Sequence, residues 1–472
     1  MSEPKPTFGE IHFGSAALGD KRRVRRLVAI ADLLVKNPSG SLPSKFNGPG
    51  ELDGLYHLMK NESVTHASVL AAHFMQTRES LACSEEYVVV AHDTTELDFT
   101  SHATLTELGQ IGKGSSRGYL CHNSLAVLPK TRQVIGLANQ ILWKRRVVQK
   151  GETRSARREH KNRESQLWKQ ATDPLPKTLN IVDVCDRGAD VFEFLEAEAS
   201  SGRTFVVRSW HNRSLRVCDV NGNRTYLHDY VRTIPSLGTK IVEIPRSVED
   251  ESSGKSKKAK KAARLATLQV SVVKVSIPRP KRRSGQHGNA PLEVTVVRVW
   301  EPNPPAGEKA MEWMLLTNFD AIDLRTVSLV VSWYECRWVV EEYHKAKKTG
   351  LNIEDPQFQS ESRLEPMIAL LSVVAISLLN LRALAGSEDS KNQPAITVMH
   401  PDFIETLSLW RYKETRPDMS VCDFCMALGK LGGHLNRKRD GLPGWLTLWR
   451  GWMRLNDRVE GARDQKRKQR CA

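Results

Sequence analysis

Two apolar runs, each ending at an aspartate, limit the possible folds of this chain more than anything else in it. YVVVAHD (87–93) is rich in β-branched residues and continues as TTELDF. LNIVDVCDRGAD (179–190) repeats the pattern, with a glycine-containing turn and then a helical stretch from Val191 to Ala199. Each reads as a strand with an acidic side chain at its end, followed in the second case by a turn. Strands alternating with helices imply an α/β core, and open α/β sheets place their chemistry at the carboxyl ends of central strands. Asp93 and Asp186 both stand at that kind of position. Either one alone is equally what a loop start or a helix cap requires.

A third acid lies far downstream. YECRWVVEEYHKAKKTG (334–350) carries Tyr334, Arg337, Glu341, Lys345 and Lys348 at spacings of 3, 4, 4 and 3. No Gly or Pro occurs from Val327 to Lys347, Asp323 is available as a cap, and Val327, Val330, Val331 and Trp338 supply an apolar face. The pattern predicts a continuous helix on which the five side chains share a stripe roughly 60° wide. Glu341 would then have cations one and two turns away on its own face. Ordinary solvated Glu–Lys pairs account for such a stripe by themselves; the two upstream aspartates make a three-carboxylate constellation the competing reading.

The chain of 472 residues has 70 Lys and Arg against 54 Asp and Glu, a formal charge of +16. That excess points to a polyanionic partner, nucleic acid or an anionic membrane surface. No apolar run of 18 residues and no signal-peptide pattern occurs, which favours a cytoplasmic, nucleic-acid-facing protein with no membrane partner. Eight cysteines are too sparse for a disulfide scaffold. Cys422 and Cys425 form a lone CxxC with His434 beyond it; zinc would need a second well-spaced ligand pair, and burial of the sulfurs on an amphipathic helix is the simpler account.

Residues 1–80 read as a small helical domain. Asp20 can cap KRRVRRLVAIADLLVK, whose first turns carry Arg22, Arg23, Arg25 and Arg26. Cations at a helix N-terminus oppose its dipole, so phosphate contacts explain them better than helix stability does. Two more helices are expected at 51–60 and 65–77. Residues 81–385 read as an α/β domain, with further strands at 118–128, 133–145 and 203–210. Between about 211 and 318 the texture becomes a mostly β insertion, including RTYLHDYV, with Lys/Arg/Ser-rich loops at 249–264 and 279–288. The apolar stretch 363–384, interrupted by Pro366, reads as a buried helix. Residues 386–472 read as a linker, a helical region with Trp445, Trp449 and Trp452 in one stripe, and a disordered basic tail.

Three carboxylates without an obligatory histidine suit hard divalent cations. Two Mg²⁺ ions about 4 Å apart, with Mn²⁺ as a substitute, can activate an attacking oxygen and stabilise the leaving one in phosphodiester cleavage. On this reading Asp93, Asp186 and Glu341 are catalytic and metal-binding, Arg337 and Lys348 clamp phosphates, and Tyr334 packs on or hydrogen-bonds the DNA. A glycosidase also pairs carboxylates but has no use for the basic stripe.

Tyr334, Arg337, Glu341 and Lys348 satisfy a Tyr-x2-Arg-x3-Glu-x6-Lys signature, and HDTTELDF and VCDRGAD precede it in order. In these motifs the chain resembles the DDE transposases of the insertion-sequence-four family, most closely those of the Tn-five type, from about Leu18 to Gly461. The resemblance implies an RNase H-like mixed-sheet catalytic core with a β-rich insertion, flanked by an N-terminal helical domain that binds transposon ends and a C-terminal helical dimerisation domain. It implies that Trp313 holds a flipped base, that Arg208 and Lys345 contact DNA, and that a homodimer synapses two ends. Trp210 stands where a close member of the family has a lysine. The implied reaction is cut-and-paste transposition: hydrolytic nicking at the terminal inverted repeats of double-stranded DNA, a hairpin intermediate, and joining of 3′-hydroxyl ends to target DNA. An inactive transposase-derived DNA-binding protein, a simple metal-dependent nuclease and a structural protein with a basic surface are the alternatives.

Overall fold

The computed structural model describes the chain except for residues 1–5, 38–39, 47, 154–155, 158–159, 161, 219–223, 245–263, 281–287, 289, 309, 387, 438–439 and 472. Most of the two basic loops, 249–263 and 281–287, therefore lies outside the described residues. The first helices are α1 (Phe8–Phe13), α2 (Lys21–Lys36), α3 (Pro49–Met59) and α4 (His66–Ala82). Strands β1 (Val88–Asp98), β2 (Gly109–Gln110), β3 (Arg117–Val127) and β4 (Val134–Trp143) follow, then α5 (Leu167–Thr172), β5 (Ile181–Cys185), α6 (Phe192–Ala199) and β6 (Thr204–Arg208). Next come β7 (Ser214–Cys218), β8 (Arg224–Tyr226), α7 (Leu227–Thr233), β9 (Gly238–Ile244), β10 (Arg264–Ile277), β11 (Leu292–Trp300) and β12 (Glu312–Thr317). The rest is helical: α8 (Leu324–Glu335), α9 (Trp338–Lys345), α10 (Glu361–Gly386), α11 (Pro401–Tyr412), α12 (Val421–Leu431) and α13 (Trp445–Cys471). The protein is mixed α/β and divides into two compact units.

The first unit comprises Met1–Gln149, Ala171–Pro176 and Trp338–Ala472. Its strands β1, β3 and β4 are antiparallel neighbours, with Asp93 opposite Asn123 and a bulge in the β3–β4 pairing at Ser124/Leu125. Helices α4 and α10 lie on β4, and α9 lies on β1 and β3. Helix α10 is long and apolar enough to cross a membrane, yet most of its length is packed inside the unit, including Leu364, Met367, Leu371 and Val374. It runs through Pro366 without ending there. Towards the C-terminus, Phe424, Leu428, Leu448 and Leu455 join α12 and α13 in a satellite core. Of the aromatic stripe, Trp445 and Trp449 are buried and Trp452 stacks on Phe403 with ring centroids 4.9 Å apart, so packing accounts for all three.

The second unit comprises Lys150–Gln170 and Lys177–Arg337. Strand β5 pairs in parallel with β6, and antiparallel pairings continue through β12, β11, β10 and β9. One face carries a core of Trp168, Phe194, Phe205, Val207, Val296 and Leu316. Helix α8 covers part of the sheet, with Val327, Val330 and Val331 fully buried.

Five expectations need correction. Asp93 does not end its strand: β1 continues to Asp98, paired with β3 as far as Asp98 opposite Gly118, with Leu97 buried between exposed Glu96 and Asp98. The helix expected across 327–347 breaks at Cys336 and Arg337, whose N–H groups bond the carbonyls of Trp333 and Tyr334, three residues back rather than four. Trp338, which the apolar face was to bury, is 45% exposed on the restarted helix. Leu227–Thr233, within a segment read as β, is helix, with Leu227 and Val231 buried one turn apart. The basic tail continues α13 to Cys471; after Gly461 it contains no helix breaker, and Arg463 and Lys466 pair with Asp402 and Glu405 of α11 at 2.7 and 3.1 Å.

Candidate nucleic-acid interface and acidic residues

Helix α2 starts as its sequence requires: Asp20 is extended and its Oδ1 accepts the Arg22 N–H at 2.7 Å. The basic residues that follow are used in different ways. The Arg22 guanidinium returns to Asp20 at 2.9 Å, an exposed pair that holds the carboxyl below its usual range. Arg23 donates to the Leu18 carbonyl at 2.7 Å, so its charge serves the turn before the helix. Lys21, Arg25 and Arg26 face solvent, and the Arg26 side chain lies against Gly54 of α3, where a Cβ would stand 2.0 Å from Nη1. Lys45, between α2 and α3, is buried and donates to the Leu351 carbonyl at 2.8 Å; burial pushes it down to about 8, against the opposing charge of Asp355.

Asp93 and Glu341 both belong to the first unit. Asp93 is half-buried; its Oδ1 accepts the Thr94 N–H at 2.9 Å and its Oδ2 lies 3.9 Å from Nδ1 of His344. Glu341, also half-buried, is in the first turn of α9, three residues before His344 and so on the same face. Beneath them is a polar network. Asn123 donates from Nδ2 to the Cys121 carbonyl at 2.9 Å and contacts Nε2 of His344 at 3.1 Å. Its Oδ1 accepts from Lys347 Nζ at 3.0 Å and from Gln140 Nε2 at 2.8 Å. Lys347 is fully buried, with its ammonium 4.7 Å from the Tyr343 ring centroid and 3.5 Å from the Cys121 sulfur; burial lowers its pKa.

The cations of this stretch do not form the expected stripe. After α9 the chain makes a π-helical turn, Ala346–Gly350, which turns Lys347 inward. Lys348 pairs with Glu354 at 3.1 Å, and Lys345 is exposed, 5.9 Å from the Trp338 ring centroid. Only Glu341 and Lys345 keep the spacing of an uninterrupted helix.

Asp186, Arg208, Trp313, Tyr334 and Arg337 belong to the second unit. Asp186 does stand at the carboxyl end of its strand, β5, where its Oδ1 accepts the Gly188 N–H at 2.7 Å. Tyr334 is only 5% exposed. Burial raises its hydroxyl pKa, opposed by the charge of Arg337 and by the charge and hydrogen bond of Arg208. Arg208, at the end of β6, also donates to the Glu312 carbonyl at 3.2 Å, and the half-buried Trp313 meets the Tyr334 ring edge-on at 5.2 Å. Trp210 is 59% exposed with the Arg187 guanidinium 5.1 Å from its ring centroid, and its backbone N–H is held by the buried Asp190 carboxylate at 2.6 Å.

Within each unit, among the described residues, no three His, Cys, Asp or Glu side chains form a ligand group. Cys425 of the CxxC is buried, and burial pushes its thiol up to about 12, the state of an inert core residue. Sequence reasoning missed His344, Asn123 and Lys347. The signal for His344 was present in the spacing to Glu341; the other two become visible only when β3 is placed beneath α9.

Residues 7–64, which hold α1, α2 and α3, match the transposase DNA-binding family. The chain thus carries, ahead of its acidic residues, a domain of the kind with which transposases bind DNA, and this supports a DNA-binding transposase.

Proposed function

We propose that this chain is a DDE transposase of the insertion-sequence-four family, with an RNase H-like core, that cuts at transposon ends and joins the freed 3′ ends to target DNA. The observation that carries this reading is the match of residues 7–64 to a transposase DNA-binding domain in the same chain as the Asp93, Asp186 and Glu341 motifs.

Asp93, Asp186 and Glu341 would hold two Mg²⁺ ions, or Mn²⁺ in their place. The donor set suits them: all three are carboxylates, and a backbone N–H at 2.9 Å on Asp93 and 2.7 Å on Asp186 orients each aspartate without neutralising it. When bound, such ions make water or a 3′-hydroxyl a better nucleophile and stabilise the departing oxygen. The protein's own residues bind and orient. Exposed Lys345, and Lys348 after exchanging Glu354 for a phosphate, fix the DNA backbone together with Arg337 and Arg208. The buried Tyr334 supports Arg208 and Trp313 beside the DNA, and Trp313 offers an indole to a base taken out of its stack.

Nicking, attack of the freed 3′-hydroxyl on the opposite strand to close a hairpin, reopening by water, and attack on target DNA are all in-line displacements at a phosphodiester. One set of carboxylates can therefore serve every step. A homodimer would hold two ends for concerted insertion, in the cytoplasm where the DNA lies.

The decisive experiment incubates purified protein and Mg²⁺ with labelled DNA bearing the element's inverted repeats and an unlabelled target plasmid. Hairpins and joined products are expected. Nicks without joining would identify a simple nuclease, and binding without cleavage a DNA-binding derivative. Glu341→Ala should bind end DNA and lose both nicking and strand transfer.

A further inference from the structure

We infer that His344 is a positioning residue for Asp93, fixed by Asn123 and Lys347 as the neutral tautomer that carries its proton on Nδ1. The assignment of a role to Asp93 rests on the transposase reading above; the hydrogen-bond chain does not.

Asn123, fully buried between β1 and β4, is the residue that fixes the rest. An amide side chain has two orientations, and its neighbours decide between them. The atom 2.9 Å from the Cys121 carbonyl must be the NH₂ group, because a carbonyl only accepts. The atom 3.0 Å from Lys347 Nζ must be the oxygen, because an ammonium only donates, and Gln140 Nε2 reaches the same atom at 2.8 Å. Both sides give the same answer. The NH₂ of Asn123 therefore also faces Nε2 of His344 at 3.1 Å, and that nitrogen must accept. The remaining proton of the neutral ring is then on Nδ1, which faces Oδ2 of Asp93 at 3.9 Å.

This is the less common tautomer of a free histidine side chain, so the surroundings select it. At 3.9 Å the contact is electrostatic rather than a hydrogen bond, and a shift of about 1 Å in the carboxylate closes it. With Oδ1 taken by the Thr94 N–H, that shift would give the aspartate a donor at each oxygen and one preferred plane. The same chain accounts for Lys347, a buried cation whose nitrogen meets an amide oxygen and a thiol. Its hydrogen bond to Oδ1 helps to hold Asn123 in one orientation.

The decisive readout is the pair of imidazole ¹⁵N shifts of His344 in protein without DNA or metal, labelled at histidine and assigned with a His344→Gln variant. A protonated Nδ1 and an unprotonated Nε2 are expected; the reverse pattern overturns the proposal. Asn123→Asp supplies the second test. It keeps the side-chain shape and gives Lys347 a carboxylate partner, but presents only acceptors to His344, so Nε2 should become protonated; the ¹⁵N shifts then show whether Nδ1 has given up its proton, the case to which the cleavage comparison applies. End cleavage should then fall about tenfold or more while affinity for end DNA stays within about twofold, as expected for loss of a ligand's outer partner. Unchanged cleavage in a variant whose tautomer has switched would remove His344 from the positioning of Asp93. A wild-type protein that never cleaves would sink the transposase reading, whereas the ¹⁵N shifts would still decide the hydrogen-bond chain.

Discussion

At the scale of single residues, His73 and His12 form a pair in which burial favours uncharged rings. His73 is fully buried on α4: its Nε2 accepts the Leu137 N–H at 2.9 Å, and its Nδ1 meets Nδ1 of His12 at 3.1 Å. Burial, and for His73 the charge of His12, pushes the two down to about 3 for His73 and about 4 for His12, from 6.5. The unfolded chain would therefore bind protons between pH 6.5 and about 4 that the folded chain refuses. Stability from this pair is complete above 6.5 and is lost progressively as the pH falls, towards about 4 for His12 and about 3 for His73. Thermal unfolding measured at pH 7.5, 6 and 5 should give a falling Tm. His73→Leu should start lower, since the Leu137 N–H loses its acceptor, yet show a shallower decline. An equally steep decline in that variant would mean that other groups set the acid sensitivity.

Among elements, what could be read in advance depended on whether the cause was local. The α2 cap at Asp20 and the strand ending at Asp186 were legible because a cap or a strand end is written in a few adjacent residues. The break at Cys336 and Arg337 was not, because no Gly or Pro marks it, and the π turn that buries Lys347 sits in AKKTG, which reads as solvated. Leu227–Thr233 was misread because Tyr and Val favour strands where packing does not intervene. At Asp93 the residue was found but its place in the strand was not, since the apolar run stops there and the next buried apolar side chain is Leu97. The helical pair α12 and α13 gives a sharper test of packing. A Cβ at Gly432 would lie 1.9 Å from the Thr447 carbonyl oxygen, and one at Gly451 would lie 2.0 Å from that of Leu428. These are contacts with backbone, so the helices themselves would have to separate. Gly432→Ala should cost about 1–3 kcal/mol in urea unfolding. Gly461→Ala, with nothing within 4 Å of the new methyl, should instead stabilise α13 by up to about 1 kcal/mol. Equal effects at the two positions would contradict the close helix contact.

For the whole molecule, a charge of +16 is a statement about long-range attraction to phosphate, and α2 shows why counting charges overstates the number of contacts. Of the basic residues at its start, Arg22 is exposed but paired with Asp20 and Arg23 is tied to the Leu18 carbonyl, while Lys21, Arg25 and Arg26 face water without either tie. If those three meet DNA phosphates, each releases a counterion on binding and adds about 0.9 to the slope of log affinity against log salt concentration. Replacing all three with Ala should therefore weaken binding to end DNA and to unrelated DNA alike, and should flatten the slope by about 2–3 between roughly 50 and 200 mM salt. Fluorescence anisotropy with the Glu341→Ala protein as background keeps cleavage from disturbing the titration. Arg23→Ala is the internal contrast: it should lower the melting temperature by freeing the Leu18 carbonyl, while its salt slope stays close to that of the parent. If the triple variant keeps the parental slope, the exposed start of α2 is a solvated face and the phosphate contacts of this domain lie elsewhere.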